Sequence, residues 1–168
     1  MCTMMSAETT KSTSTTTERH AVATATADTK LSHGDRSFFE KAAKSGMKEV
    51  AVSQAVLERL TNPQVKQFAQ MMVTDHSGAN TELLALAAAK GVTLPAKDTK
   101  YDEKWSKNKK DLDEDYMDEM VSDHKDTVDL FEKAAKSDDT DIAAFARKTL
   151  PKLQQHLTMA KDLHKSVK

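Results

Sequence analysis

Cysteine, proline, glycine and aromatic residues are all scarce in this 168-residue chain, which has one Cys, three Pro, four Gly and only 5% aromatic residues. A single Cys excludes an internal disulfide framework and any zinc site built from cysteines. Few turn residues and few β-branched runs leave mainly Ala, Lys, Asp, Leu and Met in the ordered part. That composition is typical of helices.

Long apolar runs and an excess of one charge are also missing. The longest apolar candidate, Leu83–Ala89, is far shorter than the roughly 20 residues that a membrane span needs. The formal net charge is -1 with interspersed signs, so no basic stripe favours nucleic acid as a partner. A chain of this length is expected to form one domain around one core.

Residues 1–34 form a Ser/Thr-rich tract that cannot bury enough apolar surface to fold, so a disordered tail is predicted. Cys2 at its start has two interpretations. One is a ragged terminus carrying residues left from expression. The other is a bacterial lipoprotein anchored through Cys2 after removal of a signal segment that this chain does not include, which would place the protein in the periplasm or at the outer membrane.

Residues 35–168 are predicted to form the folded domain. Four stretches carry inward residues at alternating steps of three and four, the period of a packed helix: 35–60, 63–90, 111–136 and 140–165. Asp35 or Ser37 is predicted to cap the first helix and Asn62 the second, while Gly91 ends the second. Gly46, inside the first helix, indicates close contact with a neighbouring helix or a slight bend.

The connections between the helices are short, long and short. Residues 92–110 form the long one, and Trp105 within it is expected to pack over one end of the helices. One long crossover between helices 2 and 3 predicts an all-α, ferritin-like four-helix bundle.

The segment Met-Val-x-Asp-His occurs twice, at 72–76 and 120–124, and each time the His falls where an apolar residue is expected. His156 and Glu49 occupy equivalent positions in the other two helices. Because all four residues lie near the midpoints of helices of similar length, they are expected to meet at one level inside the bundle. Three imidazoles and a carboxylate suit one Zn, Fe, Mn or Cu ion, with His76, His124, His156 and Glu49 as ligands.

Three polar neighbours are predicted to support this site. Asp75 and Asp123 lie about 100° around their helices from the adjacent His, where they can accept hydrogen bonds from imidazoles of neighbouring helices. Asn80, one turn after His76, offers a further polar contact. His164, near the end of the last helix, is expected to be solvated, as are His20 and His33 in the tail.

The same residues have a second interpretation, a buried polar layer that fixes helix register without any metal. The methionines at helical spacing are interpreted as core residues. The sequence has no glycine-rich phosphate loop, no Gly-x-Ser-x-Gly elbow and no Cys/His nucleophile pair, so it predicts no catalytic residue and no reaction.

Several segments resemble an uncharacterised bacterial domain family whose members are often described only as outer-membrane or secreted proteins. The resemblance covers about residues 37–163. It is carried by Phe38–Ala43, Asn62–His76, Gly91–Pro95, Tyr116-Met117 with Val121–His124, and Thr149–Leu157. It implies a ferritin-like helical bundle and an envelope location, and it leaves the function open.

Catalytic members of the wider ferritin-like group hold two irons through Glu-x-x-His motifs, and this chain departs from that pattern. The positions three before the histidines are Val73, Val121 and Leu153. The departure argues against a carboxylate-rich di-iron oxidase and leaves a His-rich mononuclear site or none. The sequence therefore favours metal handling or stress protection over turnover, with a structural or protein-interaction module as the alternative.

Overall fold

A computed structural model describes residues 31–95, 105 and 110–168. Within these residues four helices are present: α1 (His33–Val56), α2 (Pro63–Ala89), α3 (Leu112–Ala134) and α4 (Thr140–Ser166). The predicted all-α four-helix bundle is confirmed. Most of the predicted tail, with Cys2 and His20, and most of the crossover lie outside the described residues. The domain boundary at residue 35 stays a prediction.

Polar side chains set the helix ends. Ser32 caps α1 by accepting a hydrogen bond from the Asp35 amide at 3.0 Å, so the predicted caps Asp35 and Ser37 were wrong. His33 is the first residue of this helix, and its side chain is exposed. Asn62 caps α2 as predicted, accepting from Gln64 N at 2.9 Å and from Val65 N. Gly91 follows α2 with a positive φ of 70°, a conformation that glycine adopts without strain.

Contacts between helix ends establish the topology. The segment after α1 meets the start of α3 where Thr61 Oγ1 donates to Asp113 at 2.6 Å. The start of α1 meets the end of α3 where Ser137 donates to Asp35 at 2.6 Å. The α1 helix is thus antiparallel to α3 and, through a short turn, to α2. Since α2 and α3 are parallel, the end of α2 and the start of α3 lie at opposite ends of the bundle, the arrangement of bundles with one long crossover.

The buried core has two apolar clusters separated by a polar layer. One contains Phe38, Phe39, Phe131 and Phe145, whose rings pack against one another. The other contains Phe68, Met72, Tyr116, Met117 and Met120. Trp105 is buried in this second cluster, which confirms its predicted packing at one end, and Arg59 donates a hydrogen bond to its carbonyl.

None of the helices in the described part of the chain combines the length and apolarity that a membrane span requires.

Candidate metal centre

Each helix contributes one residue to the polar layer, and the helical period sets its direction. His76 lies between Met72 of one cluster and Leu83 of the other, and His124 lies between Met120 and Val128 in the same way. The exposed fraction is 5% for His76, 0% for His124 and 1% for His156 and Glu49. The structure therefore places all four predicted residues inside the bundle, between the two clusters.

The three histidines form a nearly equilateral triangle. The centroids of their rings are 5.5 Å apart for every pair, and one ring nitrogen of each lies within 4.8 Å of the other two. Phe68 packs beside this triangle, with its ring centroid 6.5 Å from those of His124 and His156. Of the described residues, His76, His124 and His156 alone form such a group.

Two of the rings are oriented by a hydrogen bond at one ring nitrogen. His124 Nδ1 lies 2.9 Å from the carbonyl oxygen of Met120, one turn earlier in α3. His156 Nε2 lies 2.9 Å from Asp75 Oδ2, which comes from α2. Within the triangle, the buried ring nitrogens that have no hydrogen-bond partner among the described residues are His76 Nε2, His124 Nε2 and His156 Nδ1.

Burial keeps the three imidazoles neutral. It lowers the pKa of His76 to about 3, with a further lowering from His124 and His156. Burial also lowers the pKa of His124 to about 4, although its backbone hydrogen bond to Met120 opposes the shift. The pKa of His156 is lowered by burial too, against the opposing effect of Asp75. At neutral pH the imidazoles therefore offer lone pairs rather than positive charge.

Glu49 lies beside the triangle, next to His124. Its Oε1 is 3.7 Å from His124 Nδ1, and neither of its carboxyl oxygens has a hydrogen-bond partner among the described residues. Burial raises the pKa of Glu49 well above its usual range, and the nearby Asp123 carboxylate raises it further. The structure brings Glu49 to the layer but not into the triangle, so its role as a ligand stays a prediction.

The two aspartates expected to support the site have different partners. Asp75 accepts the hydrogen bond from His156, the kind of contact that was predicted, and Lys152 Nζ lies 3.2 Å from the same oxygen. Asp123 contacts Lys48 at 2.6 Å instead of an imidazole, and Lys48 also contacts Glu119 at 2.5 Å. Lys48 and Lys152 were not found by sequence analysis, although each lies within four residues of a predicted site residue.

Asn80 packs between α1 and α2. A Cβ atom built at Gly46 would lie 1.9 Å from Asn80 Oδ1, which confirms the predicted close approach at Gly46. Asn80 and His76 also line a small cavity of about 20 Å³. A cavity of this size holds about one water molecule.

His164 corrects one expectation. Its side chain is largely buried, and its Nε2 atom lies 2.7 Å from Asp118 Oδ1 on α3, so it is not solvated. The sequence carried one signal, because His164 follows Ala160, a buried residue of the same helix, by four residues or about one turn.

The donor set fits a transition-metal ion. Neutral imidazole suits Zn, Cu, Fe and Ni, and three imidazoles with one further position form a known type of zinc site. In tetrahedral geometry, metal–nitrogen bonds of about 2.0–2.1 Å place the donor atoms about 3.3 Å apart. The three nitrogens, within 4.8 Å of one another, would reach that spacing by a small inward movement of the rings.

Comparison with known proteins supports the fold and the family. The family described as "Domain of unknown function (DUF4142)" matches residues 20–163. The chain is similar to the crystal structure of a DUF305 fragment from Deinococcus radiodurans, with a TM-score of 0.67 and 11% identity over 80% of this chain and 97% of that one.

The chain is also similar to the crystal structure of a conserved hypothetical protein from Mycobacterium tuberculosis. The TM-score is 0.58 and the identity 16%, over 81% of this chain and 98% of that one. At such identities the two structures show a shared helical fold and nothing about activity. None of the curated proteins matches the chain.

Proposed function

We propose that this chain, which belongs to the family of unknown function DUF4142, binds one transition-metal ion through His76, His124 and His156. The observation that carries the proposal is the convergence of three buried, neutral ring nitrogens that have no partner among the described residues. A buried polar atom without a partner costs about 1–3 kcal/mol. A bound ion would satisfy all three atoms at once.

The role that fits this site is metal handling or stress protection, since the sequence predicts no reaction. The ion is Zn, Fe, Mn or Cu. Glu49 lies beside His124, so its ionised carboxylate would balance part of the positive charge of the ion. An envelope location belongs to the same proposal, on the strength of the family resemblance. Cell fractionation and intact mass spectrometry of the native protein, looking for a diacylglycerol at Cys2, test the location and the anchor.

The first test is metal content, measured by plasma mass spectrometry on untagged protein purified without chelator. We expect about one ion per chain in the wild type and none in a triple His76/His124/His156→Ala variant. His33→Ala is the matched control, because His33 is exposed on α1 and far along the chain from the layer. Circular dichroism shows whether each variant keeps its helices.

Because the triple variant removes three core side chains, His76→Gln is a milder test that keeps size and polarity. It should bind Co²⁺ at least tenfold more weakly than the wild type, measured by visible absorption. Equal metal content in the wild type and in a folded triple variant would refute the proposal.

The second candidate function is a structural or interaction module in which the histidine layer fixes helix register. It is favoured by the mutual packing of the three rings, 5.5 Å apart, and by Phe68 against two of them. Failure to bind any of the four ions after reconstitution would support this alternative.

A further inference from the structure

We infer that Asp75 is the positioning residue of the site: it selects the nitrogen that His156 presents, so that metal binds through His156 Nδ1 but through Nε2 of His76 and His124. This inference rests on the proposed function. It goes further, because it assigns the donor atoms and gives a role to one carboxylate outside the triangle.

His156 is held from its outer side. Its Nε2 atom lies 2.9 Å from Asp75 Oδ2, and Lys152 Nζ lies 3.2 Å from the same oxygen. A carboxylate oxygen that already faces a lysine ammonium acts as an acceptor, so Nε2 of His156 must carry the proton. The lone pair of this ring is then on Nδ1, which is buried without a partner among the described residues.

His124 is oriented by a different group and in the opposite sense. Its Nδ1 atom lies 2.9 Å from the Met120 carbonyl oxygen, which can only accept a hydrogen bond. Nδ1 therefore carries the proton and Nε2 keeps the lone pair. Asp123, which precedes His124 as Asp75 precedes His76, contacts Lys48 instead and leaves this orientation to the backbone.

A carboxylate that accepts from the outer nitrogen of a ligating histidine fixes the ring and makes its inner nitrogen a better donor. Loss of such a partner typically weakens metal binding 10- to 100-fold. Asp75 is only partly buried, so its replacement opens no large cavity in the core.

The donor atoms can be identified directly. The full chain, labelled with ¹⁵N-histidine and loaded with ¹¹³Cd²⁺, should show one-bond ¹⁵N–¹¹³Cd coupling at His156 Nδ1 and at Nε2 of His76 and His124. Coupling at His156 Nε2 would overturn the inference while leaving the metal site intact. The absence of coupling at all three histidines would instead refute the proposed function.

Substitution of Asp75 tests its role without relying on metal alone. In the metal-free protein, Asp75→Ala should replace the single Nε2–H tautomer of His156 with a mixture, seen in long-range ¹H–¹⁵N spectra, and should weaken Cd²⁺ binding 10- to 100-fold. Asp75→Asn keeps an acceptor oxygen and should restore the tautomer and most of the affinity.

Asp118→Ala is the matched control, because Asp118 also lies against a histidine, with its Oδ1 atom 2.7 Å from His164 Nε2 and outside the triangle. It should leave His156 and Cd²⁺ affinity unchanged. An unchanged His156 tautomer and affinity in Asp75→Ala, or an equal loss in Asp118→Ala, would contradict the role assigned to Asp75.

Discussion

Gly46 provides a test of packing at a single residue. A Cβ atom at this position would lie 1.9 Å from Oδ1 and 2.9 Å from Cγ of Asn80, so alanine there must displace the Asn80 side chain. Alanine also favours a helix interior over glycine by about 1 kcal/mol. We expect the steric cost to exceed that gain and Gly46→Ala to destabilise the bundle by about 1–2 kcal/mol in urea unfolding.

The control for this prediction is the same substitution in an Asn80→Ala background. There the obstacle is absent, so Gly46→Ala should stabilise the protein by about 1 kcal/mol through helix propensity alone. If Gly46→Ala has the same effect in both backgrounds, the contact with Asn80 does not limit position 46.

The two Asp-His pairs show what the sequence could reveal at the residue scale. Helical period was enough to predict that His76 and His124 point inward, since each replaces an apolar residue of its stripe. It could not predict that Asp75 would meet His156 while Asp123 would meet Lys48. Those partners depend on which helix lies beside each aspartate, and two nearly identical local sequences do not contain that information.

At the scale of the elements, Asp113 joins the turn between α1 and α2 to the start of α3. Its carboxylate accepts from Thr61 N at 3.1 Å, Thr61 Oγ1 at 2.6 Å and Asn62 N at 2.9 Å. Asn62 in turn caps α2. We expect Asp113→Ala to destabilise the protein by about 1–2 kcal/mol, since three hydrogen bonds at this partly exposed site are lost together.

Thermal unfolding monitored by circular dichroism measures this effect. Asp129→Ala, on the exposed face of the same helix, is the control and should change the free energy of unfolding by less than about 0.5 kcal/mol. Equal effects of the two substitutions would mean that Asp113 does not anchor the turn.

The helix bounds also show where a periodic pattern stops being informative. The first helix was predicted to reach Leu60, but α1 ends at Val56. Leu60 is still buried in the second apolar cluster, although it lies in the turn. An apolar residue in phase with a helix predicts burial reliably. It does not distinguish the last helical turn from a turn that packs on the same core.

For the molecule as a whole, the polar layer was predictable because it depends on helix length alone. Midpoints of helices packed side by side share one level, whichever way each helix runs, and His76, His124 and His156 do meet there. The position of Glu49 beside this group, and the nitrogen that each ring presents, depend on side-chain rotation and hydrogen bonds. Neither leaves a signal in the sequence.

The layer should make the stability of the metal-free protein depend on pH in both directions. The folded-state pKa values of His76 and His124 are lowered to about 3 and about 4, so below their ordinary pKa of 6.5 the unfolded chain binds more protons than the folded one. Stability is then fully present above pH 6.5 and is lost as pH falls toward 4, by up to about 1.4 kcal/mol per unit for each group.

Glu49 acts in the opposite sense, because its raised pKa keeps it protonated in the folded state after the unfolded chain has ionised. Its stabilising effect is greatest below pH 4.5 and is lost as pH rises. Asp123, whose burial also raises its pKa, adds to this effect at lower pH. The free energy of unfolding should therefore rise from pH 4 toward pH 6, where the histidines outweigh Glu49, and decline above pH 6.5.

Urea unfolding at a series of pH values, with chelator present, measures how the free energy of unfolding depends on pH. The Glu49→Gln variant separates the rise at low pH from the decline at higher pH. Because glutamine is neutral at every pH, the variant should keep the rise in stability between pH 4 and 6 that the histidines cause, and should lose the decline above pH 6.5. An unchanged decline in Glu49→Gln would show that another group causes it. A flat profile between pH 4 and 6 in Glu49→Gln would mean that the three imidazoles are not held neutral by burial, and that the layer is open to water.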